Sequence, residues 1–172
     1  MENDNFKISL PNGGKVALRP VTAADDEFLL AVYASTREQE LAAVPWTDEQ
    51  KMEFLRWQFN LQRQEYDANY PQRQYDVIMV DEQPAGRIWI SRDDQIRLLD
   101  IALLAEFQNR GVGTALLQRL IDEAARAKKP LRHMVFILNT DAKRFYERLG
   151  FVVFEEVGAY FHMELPANKL ES

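Results

Sequence analysis

The six residues Gln108-Asn109-Arg110-Gly111-Val112-Gly113 stand between an apolar run at 97–104 and an amphipathic segment. The apolar run is typical of a buried strand. In the segment that follows, Val112, Leu116 and Leu120 recur at helical spacing. The start of a helix has free backbone N–H groups and the positive end of the helix dipole, and glycines let an anion come close to both. The stretch therefore predicts a phosphate-binding turn between a strand and a helix.

The rest of the chain alternates strand and helix patterns on either side of this turn. Seven strands are predicted, at 15–19, 75–80, 86–91, 97–104, 131–138, 151–155 and 160–165. Four helices are predicted, after Thr22, after Thr47, at about 111–128 and at about 142–149. Thr22 and Thr47 each precede an Asp or Gln by three residues, which is typical of a helix start.

This order of elements predicts an α/β fold built on a mixed sheet. The helix at 111–128 must cross from the strand through Asp100 to the strand from Leu131, so those two strands pair in parallel. The other connections favour antiparallel pairs. We expect about seven mostly antiparallel strands, one parallel β-α-β crossover and four helices, in a single domain over 1–172 with its core at about 15–165. Ligands bind such sheets beyond the carboxyl ends of the parallel strands, where Gly111 and Gly113 lie.

Composition excludes several classes of protein. The net charge of −6 argues against a nucleic-acid or anionic-membrane surface, and no apolar run approaches the roughly 18 residues of a membrane span. The N-terminal residues lack the order of a signal peptide, so a cytoplasmic location is expected. The absence of cysteine excludes a thiolate metal site and a cysteine nucleophile, and the two histidines lack metal-ligand spacing. We therefore predict no metal site.

Two motifs resemble those of the GNAT superfamily of N-acetyltransferases, which use acetyl-CoA as donor. Residues 108–113 match the family's cofactor motif of Gln or Arg, two variable residues, Gly, one variable residue, and Gly or Ala. A second signature is matched by Asn139, Ala142, Phe145, Tyr146, Gly150 and Phe151. The resemblance covers roughly Val16 to Leu165 and is weakest over 33–73. It departs at Ala105, where a proline is common.

The resemblance implies how acetyl-CoA is held, with no metal. The N–H groups of Arg110 through Thr114 would hold the pyrophosphate, and main-chain groups of Ile101 and Leu103 would meet the pantetheine arm and the thioester carbonyl. The implied cofactor-binding residues are Ile101, Ala102, Leu103, Gln108, Asn109, Arg110, Gly111, Val112, Gly113, Thr114, Asn139, Phe145 and Tyr146.

Two residues are candidates for the proton transfers of acyl transfer. Tyr146 is the candidate general acid, because a phenol within reach of the sulfur can protonate the departing thiolate; the alternative is that it only packs beside Phe145. Asp100, on a strand expected to be buried, is the candidate base. The alternative is that Asp100 pairs with Arg97 or another structural cation and that a water relay takes the proton.

The expected function is N-acetylation of a primary amine, carried by a small molecule or a peptide. With no cysteine to form an acyl intermediate, we expect direct attack in a ternary complex. Transfer of a larger acyl group and a coenzyme-A-binding sensor with little turnover are the alternatives. The acceptor is left open, and so is the choice between a monomer and a homodimer.

Overall fold

The computed structural model describes residues 7–169. The helices are α1 (Asp26–Ala42), α2 (Asp48–Asn69), α3 (Val112–Ala127) and α4 (Thr140–Arg148). The strands are β1 (Lys7–Ser9), β2 (Lys15–Pro20), β3 (Arg73–Val80), β4 (Gln83–Arg92), β5 (Ile96–Leu103), β6 (Leu131–Phe136), β7 (Val152–Val157) and β8 (Tyr160–Leu165). Short 3-10 turns occupy Ala23–Asp25, Ala105–Phe107 and Ala167–Lys169.

The strands form a mixed sheet in the order β1-β2-β3-β4-β5-β6-β8-β7. β5 and β6 pair in parallel, with Ile96–Leu98 opposite Leu131–His133, and α3 is the crossover between them. The neighbouring β1-β2, β2-β3, β6-β8 and β7-β8 pairs are antiparallel. This confirms the predicted fold class. The described strands number eight rather than seven because β1, three residues long, is too short to show a period of two in the sequence.

The described residues divide into two compact units, one of residues 7–89 and 100–112 and the other of residues 90–99 and 113–169. The prediction of a single domain stays a prediction. In the first unit, α1 and α2 bury apolar side chains against β3, and the shared core contains Leu29, Leu30, Tyr33, Leu41, Leu55, Phe59 and Val77. In the second, α3 buries the predicted apolar face, including Leu116, Leu120 and Ala124.

The hairpin between β3 and β4 is tighter than the sequence predicts. Asp81 and Glu82 both have positive φ, 48° and 67°, and they complete a two-residue turn. Gln83 and Pro84, predicted in the turn, therefore lie in β4. Near the end of a strand, the missing N–H of a proline costs little.

Candidate active site

The turn after β5 holds its shape through its own side chains and backbone. The Leu104 N–H donates to the carbonyl of Ala85 (2.9 Å), and the Gln108 side-chain amide donates to the carbonyl of Leu103 (2.9 Å). Asn109 and Gly111 then adopt positive φ, 58° and 84°. These are residue types that tolerate the left-handed region, so the sequence of the turn matches its backbone.

The two glycines of the turn leave open space at the start of α3. A Cβ added at Gly111 would meet no atom within 4 Å, and one added at Gly113 would meet only the Cζ of Phe145, at 3.9 Å. Packing among the described residues therefore does not require a glycine at 113. Open space beside the backbone of a helix start is what an anion site of this kind requires.

Arg110, one of the implied cofactor-binding residues, makes two side-chain contacts within the first unit. Its guanidinium carbon lies 5.7 Å from the ring centre of Phe107, and its Nη2 lies 3.8 Å from an oxygen of Asp81. Arg110 is half-buried. These contacts restrict the side chain of Arg110.

The end of β5 lies very close to β4. A Cβ at Gly86 would come within 2.0 Å of the Ala102 carbonyl oxygen, so only glycine fits there. Ile101, Ala102 and Leu103 are half-buried. The residues expected to offer main-chain groups to the donor are therefore fixed in position by a backbone-to-backbone contact.

The second signature builds the start and the packed face of α4. Asn139 caps the helix, its side-chain oxygen accepting from the Ala142 N–H (3.1 Å). Gly150 has a φ of 97° just past the end of the helix, as its position predicts. Capping alone explains Asn139 in structural terms, and its contact with the cofactor stays a prediction.

Tyr146 is buried on the inner face of α4, with 4% of its surface exposed. Its ring centre lies 4.5 Å from that of His133 and 5.5 Å from that of Phe151, and Phe145 meets it edge to face at 5.2 Å. The aromatic packing holds the phenol rigidly. A purely structural Tyr146 would need this packing, and a Tyr146 that acts as a general acid would be held in place by it.

Asp100 forms an ion pair that the sequence did not identify. The partner is Arg87 of β4, whose Nη2 lies 2.7 Å from Asp100 Oδ2 without the alignment of a hydrogen bond. Asp100 retains 24% of its side-chain exposure and Arg87 only 2%. The expected alternative of a structural cation is thus present, although it is Arg87 rather than Arg97. The sequence signal that could have indicated this pair is the arginine inside the apolar run of β4.

Two tyrosines beside this pair have raised pKa values. Burial raises the pKa of Tyr66 well above its ordinary value, and the charge of Asp100 adds to the effect. Burial also raises the pKa of Tyr75, an effect that Arg87 opposes. Both phenols therefore stay protonated at neutral pH.

The histidines have partners other than metal ions. His133 Nδ1 lies 2.7 Å from the carbonyl oxygen of Leu98, and His162 Nδ1 lies 4.0 Å from a carboxylate oxygen of Glu155. Within residues 7–169, no three His, Asp or Glu side chains are grouped as metal ligands.

Comparison with known proteins identifies the family. The sequence profile of the Acetyltransferase (GNAT) family matches residues 31–151. The chain therefore belongs to the GNAT family, and it is an acyltransferase whose acetyl donor is acetyl-CoA. No curated protein matches the chain.

Solved structures share the fold at low sequence identity. The PaiA N-acetyltransferase of Thermoplasma acidophilum, in complex with coenzyme A, is 20% identical with a TM-score of 0.67; 88% of this chain and 98% of that chain are covered. An acetyltransferase of Thermus thermophilus is 22% identical with a TM-score of 0.62 over 88% and 96%. Spermidine N-acetyltransferase of Vibrio cholerae, in complex with CoA and spermine, is 16% identical with a TM-score of 0.61 over 91% and 98%.

Within residues 7–169, none of the helices has the length and hydropathy needed to span a membrane.

Proposed function

We propose that this chain transfers an acetyl group from acetyl-CoA directly to a primary amine bound at the same time. The observation that carries the proposal is the open glycine turn at the start of α3, in a chain of the GNAT family. The absence of cysteine supports direct transfer, because no acetyl-cysteine intermediate can form. The acceptor is an amine on a small molecule or a peptide, and the expected location is the cytoplasm.

The N–H groups of Arg110 through Thr114 bind the pyrophosphate in this proposal. The positive φ of Gly111 and the free space at both glycines support it. A helix start binds anions through backbone groups, so the side chains of Val112 and Thr114 need not touch the phosphates.

The main chain of Ile101–Leu103 binds the pantetheine arm and polarises the thioester carbonyl. Its support is the tight contact of Gly86 with the Ala102 carbonyl, which holds this segment rigid. A preorganised N–H donor to a developing oxyanion contributes about 3 kcal/mol to the transition state.

Tyr146 acts as the general acid. The amine nitrogen forms a bond to the thioester carbon, the carbon–sulfur bond breaks, and the phenol O–H of Tyr146 gives its proton to the thiolate. The nitrogen then releases its surplus proton to water, and the phenolate of Tyr146 regains a proton from water. The packing of the ring against His133 and Phe145 supports this role, because a rigid donor loses little entropy on reaction. Before attack, the ammonium form of the acceptor gives up a proton to Asp100 or to water.

Two measurements test the proposal. Calorimetry with coenzyme A should show saturable binding, and a free-thiol assay with acetyl-CoA should show turnover with at least one of spermidine, n-butylamine, L-lysine, kanamycin or a short peptide with a free N-terminus. Varying both substrates should give intersecting initial-velocity lines. Parallel lines contradict direct transfer, and tight binding with no turnover favours a coenzyme-A sensor. Faster turnover with propionyl-CoA or succinyl-CoA favours a larger acyl group.

A further inference from the structure

Arg87 is a buried cation in the apolar core of the first unit. Its Nη2 donates to the side-chain oxygen of Gln62 (3.1 Å) and lies 2.7 Å from Asp100 Oδ2. The Tyr75 side chain also interacts with the guanidinium. The guanidinium carbon lies 5.4–5.9 Å from the ring centres of Tyr33, Phe59 and Trp89. A site of this kind holds a positive charge with very little water.

A buried guanidinium needs a negative partner, because removing a charge from water costs several kcal/mol even after relaxation. Among residues 7–169, Asp100 is the acidic side chain that forms an ion pair with Arg87. If Asp100 accepted a proton, Arg87 would keep its buried charge without a counter-charge. Asp100 supplies that partner, with its Oδ2 2.7 Å from Nη2 of Arg87.

Asp100 nevertheless remains accessible. A quarter of its side chain is exposed, while Arg87 is enclosed. A carboxylate held from one side by a buried arginine can accept hydrogen bonds on the other from a protonated amine. Asp100 lies in β5 directly before the segment Ile101–Leu103 to which the proposed function assigns the thioester.

We propose that Arg87 is a positioning residue that holds Asp100 as an ionised anchor for the ammonium group of the acceptor, and that the proton of the ammonium leaves to water rather than to Asp100. This inference rests on the proposed function and deepens it. It names the acceptor as a protonated primary amine. It also resolves the choice between Asp100 and a water relay in favour of water.

The other titratable groups facing the pair agree with this assignment. Tyr66 of α2 and Tyr75 of β3 interact electrostatically with both Asp100 and Arg87, and both phenols are protonated at neutral pH. A neutral phenol adds no competing charge. Asp100 thus remains the negative group available to an incoming ammonium in this cluster.

The Asp100→Asn variant distinguishes an Asp100 that binds the ammonium group from an Asp100 that acts as the general base. We measure kcat and KM across pH with the member of the amine panel that has the largest kcat/KM. The anchor predicts a rise in the KM of the amine of about 10- to 100-fold, the range of a hydrogen bond to a charged group. It also predicts a kcat within about threefold of wild type at high pH. The rise of kcat with pH should persist but shift to lower pH, because the bound ammonium loses the opposite charge that raises its pKa. A fall of kcat by about 100-fold or more with loss of that rise, as removal of a general base produces, would overturn the proposal.

Arg87→Met and Arg87→Lys test the positioning role. Arg87→Met should raise the KM of the amine as Asp100→Asn does, with the affinity for coenzyme A unchanged, and Arg87→Lys should restore part of the loss because it retains the charge. Arg92→Met is the matched control, since Arg92 lies on the same strand and also pairs with a carboxylate, that of Glu123. It should leave the KM of the amine unchanged. If Arg87→Met fails to fold, the KM of the amine in Asp100→Asn and Arg87→Lys still tests the proposal.

The outcomes separate this inference from the proposed function. Turnover with an unchanged KM of the amine in Asp100→Asn overturns the inference alone. No coenzyme A binding, or binding without turnover of any amine in the wild-type chain, overturns the proposed function and the inference with it.

Discussion

Replacing Gly86 with alanine adds only one methyl group, but we expect it to destabilise the protein severely. The added Cβ would lie 2.0 Å from the carbonyl oxygen of Ala102 and 3.0 Å from the Cα of Leu103. Both neighbours are backbone atoms, so no side chain can move aside. To remove this clash, the backbones of β4 and β5 must move apart by more than about 1 Å, which is roughly the difference between the clashing distance and a van der Waals contact.

The magnitude follows from the two interactions that such a displacement damages. Overpacking of a dense interior costs about 1–3 kcal/mol. The hydrogen bond from Leu104 to Ala85, next to the contact, contributes about 1 kcal/mol. We therefore expect Gly86→Ala to lower the free energy of unfolding by about 2–4 kcal/mol. For a chain of this length, that lowers the Tm by roughly 5–15 °C.

Thermal unfolding followed by circular dichroism measures the effect, and Gly113→Ala is the control. The Cβ at Gly113 would have an ordinary contact, 3.9 Å from Phe145, and alanine favours a helix more than glycine does. Gly113→Ala should therefore keep or raise the Tm. A Tm of Gly86→Ala within about 2 °C of wild type would refute the steric argument.

Two further predictions concern the candidate acid and a buried carboxylate. Tyr146→Phe should lower kcat by about 100-fold or more with little change in the KM of acetyl-CoA, because it removes one proton and keeps the ring; an unchanged kcat, measured by thiol release, would make Tyr146 a packing residue. Asp25→Asn should lower the free energy of unfolding at pH 7 by about 1–2 kcal/mol in urea titrations, since it weakens the paired hydrogen bonds from Arg19 (2.7 and 2.8 Å). Those bonds, with the N–H of Thr22, hold the pKa of Asp25 well below 3.8, so its contribution is present above about pH 4 and is lost as the pH falls through the lowered pKa. The variant and the wild type should converge in acid, and a difference that persists at low pH would contradict this cause.

Short-range signals in the sequence were enough for the elements and for the cofactor turn. Thr47 begins α2 by accepting from the Gln50 N–H, and Gly150 ends α4 at positive φ, both as predicted. The glycines of residues 108–113 and the helical period after them located the start of α3. These features depend on backbone dihedral preferences and on the spacing of neighbours along the chain, which a sequence displays directly.

The partner of Asp100 and the close contact of Gly86 were decided by the tertiary structure alone. Each joins β4 to β5 in the first unit, and the register between two strands is not visible in either strand by itself. From the sequence, Asp100 was the candidate base or the partner of Arg97 or another structural cation. The fold instead places Arg87 against it, because register sets which side chains meet and the low dielectric of the interior makes a pairing of opposite charges necessary.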